Sequence, residues 1–243
     1  MVDFSLIIPA YNEELQIIQT IKYVVGYLSS KFSSFEIIIV DDGSSDNTSG
    51  VVKKFTEENN LKEIFVITLP KNVGKGGAVK EAMLKHSCGK IRCYYDADAS
   101  TPVEEIDKLL NAISSGYDIA IASRALPESV IEVPQPYYRQ LMGKIYNLML
   151  RIFRLTRFRD TQCGCKCFTE KAVGIVFPRQ RLSRFSFDAE ILFIAEKHGL
   201  KIAEIPTRWR NRQDSRVHLL RDPLRMFMDI FLIRLYSLLG YYK

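Results

Sequence analysis

The 243-residue sequence predicts an α/β fold, a mostly parallel sheet flanked by helices. Three observations carry this prediction. Short apolar runs rich in β-branched residues recur, such as Phe35 to Val40, of the kind buried on both faces of a parallel sheet. The runs alternate with segments whose apolar residues return every three or four positions, the helical period. The polar signatures fall where the runs end: Pro9 to Glu13, Asp41 to Asp46, Asn72 to Gly77, Asp96 to Ser100, and Ser123-Arg124. In open α/β sheets, ligands bind outside those carboxyl ends.

Asp3 to Ile8 is the first strand, stopped by Pro9. A helix is predicted from Asn12-Glu13-Glu14, with Asn12 as N-cap and Leu15, Ile18, Ile21, Val25 and Leu28 on its core face. After the second strand, Asp41 to Asp46 form a turn that leads into a helix ending near Glu58. Ile64 to Leu69 is the third strand, and the glycine loop Asn72 to Gly77 opens a helix through Leu84. Ile91 to Tyr95 is the fourth strand and delivers Asp96 and Asp98, one residue apart, at its end. Pro102 starts another helix, and Tyr117 to Ala122 is the fifth strand.

Beyond Arg124 the pattern changes. Leu126 to Pro136 contains three prolines and no helical period, so it reads as a loop. Residues 139 to about 156 read as an amphipathic helix. Its stripe is Leu141, Ile145, Leu148, Met149, Ile152 and Phe153, and its cations are Arg139, Lys144, Arg151 and Arg154. A turn and strand over Asp160 to Phe168, a helix over Ser186 to His198 and a strand over Leu200 to Ile205 follow. Arg208, Arg210, Arg212 and Arg216 surround the only tryptophan, Trp209. Pro223 to Tyr242 is a strongly apolar helix interrupted by Arg225, Asp229 and Arg234, which suits it poorly to spanning a bilayer. It can lie in a membrane interface with Tyr236, Tyr241 and Tyr242 at headgroup level, or pack as a core or dimer helix.

Length and a 47% hydrophobic content fit one soluble globular domain. The expected division is 1–222, with a front half 1–124 and a rear half 125–222, followed by an apolar helix at 223–243. The net charge of +6 conceals an asymmetry. Residues 1–138 hold 13 Lys and Arg against 19 Asp and Glu, whereas residues 139–243 hold 21 against 9. A basic rear half calls for an anionic partner: nucleic acid, a phospholipid surface or a phosphorylated substrate. The five cysteines, three of them spaced Cys163-Gly-Cys165-Lys-Cys167, lack the pairing of a zinc site and read as reduced thiols in a cytosolic setting. The chain opens almost directly on a strand, with no signal peptide expected.

Asp96 and Asp98 repel each other unless a cation lies between them, and Mg2+ takes a few carboxylate oxygens together with substrate phosphates. The plainer alternative is a strand-ending Asx turn. Asp41 and Asp42 can accept from ribose hydroxyls or a base, or cap the next helix. Lys75 can reach a diphosphate, although its loop lacks the P-loop spacing. Arg124, Arg139, Arg212 and Arg216 are candidates to grip a phosphate, because a guanidinium meets it bidentately. Asp160 can act as a base or orient its surroundings, and Asp188 can be an acid near the acceptor or cap its helix.

Pro9-Ala-Tyr-Asn-Glu13, Val40-Asp-Asp-Gly-Ser44, Lys71-Asn-Val-Gly-Lys-Gly76 and Asp96-Ala-Asp98, in this order, resemble the inverting glycosyltransferases of family 2, whose fold is the Rossmann-like GT-A. Asp160-Thr-Gln-Cys-Gly164 with Lys166, then Phe187-Asp188 and a basic segment ending Ser215-Arg216-Val217, resemble the dolichyl-phosphate β-glucosyltransferases and their polyprenyl-phosphate relatives. This resemblance implies that Pro9, Tyr11 and Glu13 join Asp41, Asp42, Lys75 and Asp96 in the nucleotide-sugar pocket. It also implies that Asp96 and Asp98 hold Mg2+ or Mn2+, and that the acceptor is a dolichyl or polyprenyl phosphate on the cytoplasmic face of a membrane. UDP-glucose is the donor it favours, with GDP-mannose and UDP-N-acetylglucosamine as alternatives. The eukaryotic glucosyltransferases resembled here carry an N-terminal membrane anchor, which is not expected in this sequence; the family's aromatic residue after Cys-Gly is Cys165 here, and its Gly-Ser-Lys is Asp214-Ser215-Arg216. Two other classes make poorer fits. A sugar nucleotidyltransferase wants an arginine-containing glycine loop after the first strand, and a nucleic-acid-binding module leaves the acidic strand ends unexplained.

Overall fold

The computed structural model describes residues 2–212 and 221–243. Seven strands form the main sheet: β1 (Phe4–Ala10), β2 (Phe35–Asp41), β3 (Ile64–Thr68), β4 (Ile91–Tyr95), β5 (Ile119–Ser123), β7 (Cys165–Thr169) and β8 (Ile202–Pro206). Their order is β3-β2-β1-β4-β7-β5-β8, parallel except for β7, which runs antiparallel between β4 and β5. Strand β7 comes from the rear half and sits between two front-half strands, so the two halves share one sheet. A small parallel pair, β6 (Val130–Val133) and β9 (Arg208–Arg210), flanks it.

Side chains alternate across the strands and build a core on each face. Ile7, Ile38, Val40 and Tyr94 pack with the core that includes α3 (Lys75–Glu81), α6 (Glu170–Val176) and α7 (Phe187–Lys197). Leu6, Ile8, Ile37, Ile39, Cys93 and Tyr95 pack on the opposite face with α1 (Ile17–Lys31), α2 (Thr48–Glu58) and α4 (Ile106–Ser114).

Two elements differ from the sequence expectation. Helix α1 begins at Ile17, not near Asn12. Asn12 has φ +56, a conformation that asparagine tolerates, and its side-chain oxygen accepts from the Ser45 backbone N–H at 2.8 Å. The polar run is therefore a loop stitched to the β2 loop, and Leu15 is wholly exposed. The expected loop from Leu126 to Pro136 contains β6, paired by Asn211 N–H to Val133 O at 2.8 Å. Helix α5 (Tyr137–Ile152) buries Tyr146, Asn147 and Leu150, so the apolar residues Leu141, Ile145, Leu148 and Ile152 face outward.

The last helix, α8 (Arg221–Leu238), packs on α5. Arg234 donates to the Phe153 carbonyl, and the Phe153 and Phe231 rings meet edge to face at 5.1 Å. Among the described residues, no helix is long and apolar enough to cross a membrane.

Candidate active site

The strand-end loops converge as the topology requires. Backbone bonds fix the first of them: Asp42 N–H donates to Ala10 O at 2.9 Å, joining the β1 and β2 exits. Asp41 accepts from Ser44 N–H at 2.9 Å, an Asx turn. Both carboxylate oxygens of Asp42 accept from the glycine loop, Val73 N–H at 2.7 Å and Gly74 N–H at 2.8 Å. Burial pushes its pKa up while those two donors pull against it. Asp42 thus organises the glycine loop instead of presenting a bare carboxylate. Pro9 is the next-to-last residue of β1, Tyr11 stands exposed just beyond that strand, and Glu13 is buried and receives the Gln16 amide.

Lys75, the first residue of α3, reaches Asp96 at 2.5 Å. Burial alone would lower the lysine's pKa, but Asp96, Asp188 and Asp98 outweigh it and raise it, so the charge is retained. Asp96 is held by its own N–H to Gly164 O at 2.9 Å, and Gly164 has to be glycine: a Cβ there would lie 1.8 Å from Asp96 Oδ2. Asp98 accepts from Ser100 N–H at 2.9 Å. Its pKa is raised, first by burial and then by the nearby Asp96 charge. A pair of hard oxygen ligands, one with charge left uncompensated, fits a divalent cation that completes its shell with substrate oxygens. Among the described residues, no group of three or more His, Cys, Asp or Glu could hold a metal, so protein carboxylates would be a minority of such a shell.

Two further acids are already paired. Asp160, 3% exposed, takes Arg124 in a fork: Nε to Oδ2 at 2.7 Å and Nη2 to Oδ1 at 2.8 Å. It also accepts from the Arg124 and Gln162 N–H groups. Burial opposes the charge, yet Arg124 wins and holds the carboxyl down at about 2. A carboxylate so acidic and so fully engaged is a poor general base; its part is to aim Arg124, which lies over the Trp209 ring at 5.4 Å. Asp188 is also 3% exposed. It accepts from Tyr94 OH and from Lys166 Nζ, the latter at 2.6 Å. Lys166 is wholly buried, donates to Cys163 O at 2.7 Å, and lies 5.1 Å from the Tyr94 ring centre. Asp188 is therefore the buried counter-ion of Lys166, beneath the cleft, and not an acid at the acceptor.

Beside Asp98 opens a cavity of about 260 Å³, lined by Gln16, Gln19, Tyr23, Ala99, Arg210 and Arg212, among others. Among the described residues, the buried Nε atoms of Arg210 and Arg212 have no hydrogen-bond partner. Arg208, by contrast, is committed to Glu105 at 2.7 Å. Arg139 lies in the first turn of α5 against the Tyr138 ring at 5.9 Å and is not among the described residues that line this cavity. Arg216 lies outside the described residues. Gly164, Lys166, Gln19 and Arg210 were not assigned roles from sequence. Gly164 and Lys166 had a signal in their place in the Cys163 motif, and Arg210 in the arginine-rich segment around Trp209; Gln19 had none.

A family model for glycosyl transferase family 2 matches residues 5–174. The dolichyl-phosphate β-glucosyltransferase of Saccharomyces cerevisiae is 34% identical over 98% of this chain and 76% of its own length. The Homo sapiens protein of that name is 33% identical over 98% and 77%. Among solved structures, glucosyl-3-phosphoglycerate synthase from Mycobacterium tuberculosis, crystallised with Mn2+, UDP and phosphoglyceric acid, superposes with a TM-score of 0.71 at 17% identity, covering 98% of this chain and 79% of that one. Mannosyl-3-phosphoglycerate synthase from Rubrobacter xylanophilus gives 0.70 at 20% identity, covering 97% and 74%, and both likenesses speak to the fold. With the ordered strand-end motifs and the GT-A sheet, the match over most of the chain places this protein in glycosyl transferase family 2.

Proposed function

We propose that this glycosyltransferase moves glucose from UDP-glucose to the phosphate of a dolichol or another polyprenol, with inversion, at the cytoplasmic face of a membrane. The observation that carries the reading is the meeting of Lys75, Asp96 and Asp98 with an arginine-lined cavity at one edge of the cleft. The names of the full-length relatives supply the substrate class. In this reading, residues 1–124 serve the donor, residues 125–222 the acceptor and residues 223–243 the membrane.

The donor nucleotide lies along the β1 and β2 exits, near Pro9, Tyr11, Glu13 and Asp41. Mg2+ or Mn2+ on Asp96 and Asp98 would supply electrostatic stabilisation of the departing diphosphate. Lys75 supplies a cation to the same oxygens. A polyprenyl phosphate is already an anionic nucleophile, so no strong base is required. What it needs is alignment, and Arg210 and Arg212 offer donors with no other partner among the described residues. The acceptor oxygen then attacks the anomeric carbon in a single displacement.

Two outward helix faces support the membrane part. Leu141, Ile145, Leu148 and Ile152 on α5 and Leu224, Phe227, Phe231 and Leu235 on α8 are exposed. Helices with an apolar face and cationic flanks bind in the interface plane, and Arg139, Lys144, Arg151 and Arg225 supply the flanks. Self-association through this face is the other use it could have.

The test incubates purified protein with vesicles containing polyprenyl phosphate, a panel of labelled nucleotide sugars and either metal. Glucose label in the lipid phase, dependent on metal, is expected. Label passing to a soluble glycan, or from GDP-mannose alone, would overturn the assignment. Co-sedimentation with acceptor-free vesicles, beside the mass in solution, separates membrane binding from dimerisation.

A further inference from the structure

Lys75 meets Asp96 from a loop that is held from below. Gly74 has φ +96, and a Cβ on it would lie 2.5 Å from Ser183 O. Gly77 N–H donates to that same Ser183 O at 2.9 Å. The Gln180 amide donates to Gly76 O and to Leu182 O, both at 2.8 Å, and Lys80 Nζ caps Gln180 O at 2.6 Å. Residues 180–183 are therefore the cradle on which the glycine loop rests.

That cradle is itself anchored, by Gln180 N–H to Val176 O at 3.2 Å, by Arg181 over the Tyr241 ring at 4.7 Å, and by a buried carboxylate. Glu190, wholly buried on α7, accepts from Arg181 N–H at 3.0 Å and from Leu182 N–H at 2.8 Å. Among the described residues, the remaining donor to its carboxylate is Tyr242 OH at 2.6 Å. Tyr242 is also wholly buried; its ring packs edge-on against Phe193 at 6.0 Å and Tyr236 at 6.3 Å, and its carbonyl lies 3.0 Å from His198 Nε2. Tyr242 lies four residues beyond the end of α8, across a short turn, so the segment that leaves the helix proposed to meet the membrane is fixed beneath the donor loop. Nothing in the proposed chemistry uses Glu190 or Tyr242. A buried carboxylate with a buried hydroxyl as its partner leaves a costly orphan when either is removed.

We infer that Glu190 and Tyr242 are positioning residues for the donor: together they fix segment 180–183 under the glycine loop and so set the reach of Lys75 and its coupling to α8. The inference rests on the reading of Lys75 as a donor-diphosphate ligand.

Tyr242→Phe keeps the ring and deletes the hydroxyl, and Glu190→Gln keeps the shape and deletes the charge. Three measurements on the full chain decide the matter. Hydrogen exchange without ligand should show faster exchange at Gly77 and neighbouring amides in both variants. Titration with UDP and Mn2+ should show binding about three- to tenfold weaker, the size of one lost buried hydrogen bond. Steady-state kinetics should place the loss in the KM for the nucleotide sugar, with the KM for the lipid phosphate unmoved. In a Lys75→Ala background the Tyr242→Phe effect on UDP should vanish. Unchanged exchange at residues 74–77 would overturn the cradle whatever the substrate proves to be. Faster exchange with unchanged UDP affinity, or with the full effect retained without Lys75, would overturn the positioning role. If Lys75→Ala alone leaves UDP binding intact, the reading of Lys75 fails, and the exchange result still judges the cradle.

Discussion

Two sets of carboxylates stand within one molecule and differ in their cation partners and in their burial. Asp160 and Asp188 each have a protein cation in contact, Arg124 at 2.7 Å and Lys166 at 2.6 Å, and both are sealed from solvent. Asp96 and Asp98 share one lysine between them, and Asp98 is left with a raised pKa. A buried acid with its cation in place is architecture, because the protein already answers its charge and leaves nothing for a ligand to bind. An acid still short of positive charge is a place for a ligand. The sequence presents all four as polar residues near strand ends; only the partners distinguish them.

The largest effect should come from the uncompensated pair. Asp98→Ala is expected to lower kcat/KM about a thousandfold, the several kcal/mol that a metal contributes to transition-state charge. Metal titration should show the affinity lost with the fold intact. In the wild-type protein, metal affinity should fall with acidity at a higher pH than an ordinary aspartate would give, since Asp98 must lose its proton to bind and its pKa is raised. A variant that transfers sugar at the wild-type rate would erase the distinction between the two sets.

Gly164→Ala attacks the same pair from behind. The new methyl group would occupy the place of Asp96 Oδ2, 1.8 Å from the ideal Cβ. Either Asp96 swings off Lys75 or β7 shifts, and overpacking of this sort costs about 1–3 kcal/mol. Activity should drop about tenfold to a hundredfold, with metal affinity and melting temperature both reduced. Wild-type behaviour would mean that Asp96 does not need this pose.

Much of this was legible beforehand. Alternating apolar runs gave the parallel sheet, and strand-end polarity gave the cleft, because both are set by local pattern. What escaped was set by partners distant in sequence. Asn12 has the chemistry of an N-cap, yet Ser45 claims its side chain and the helix waits until Ile17. The α5 stripe divides: Met149 and Phe153 pack on the core beside Tyr146 and Leu150, whereas Leu141, Ile145, Leu148 and Ile152 face outward. Periodicity reports that a helix has an apolar face, not what covers it. Asp42 and Asp188 likewise carry a ligand's functional group, but the glycine-loop amides and Lys166 occupy them first.

Asp160→Asn tests the compensated set. Its folded pKa lies below the ordinary value, so its stabilisation is present above about pH 4 and is lost as pH falls toward 2. The depression corresponds to roughly 2 kcal/mol at neutral pH. The variant should therefore unfold more readily at pH 7, with the gap to wild type closing in acid. Acceptor KM should rise as Arg124 loses its aim, whereas a general base would instead show its loss in kcat with a shifted pH–rate profile.

The smallest effect separates cations that look alike in sequence. Arg210→Ala should raise the KM for polyprenyl phosphate about tenfold, the scale of one charge-assisted contact. UDP affinity and melting temperature should hold, because the Arg210 Nε has no hydrogen-bond partner to lose among the described residues. Arg139→Ala, on the outward first turn of α5, should leave the KM for a short soluble polyprenyl phosphate unchanged and weaken only binding to anionic vesicles. Should the two arginines exchange these phenotypes, the cavity beside Asp98 would not be where the acceptor phosphate lies, and the α5 face would have to take its place.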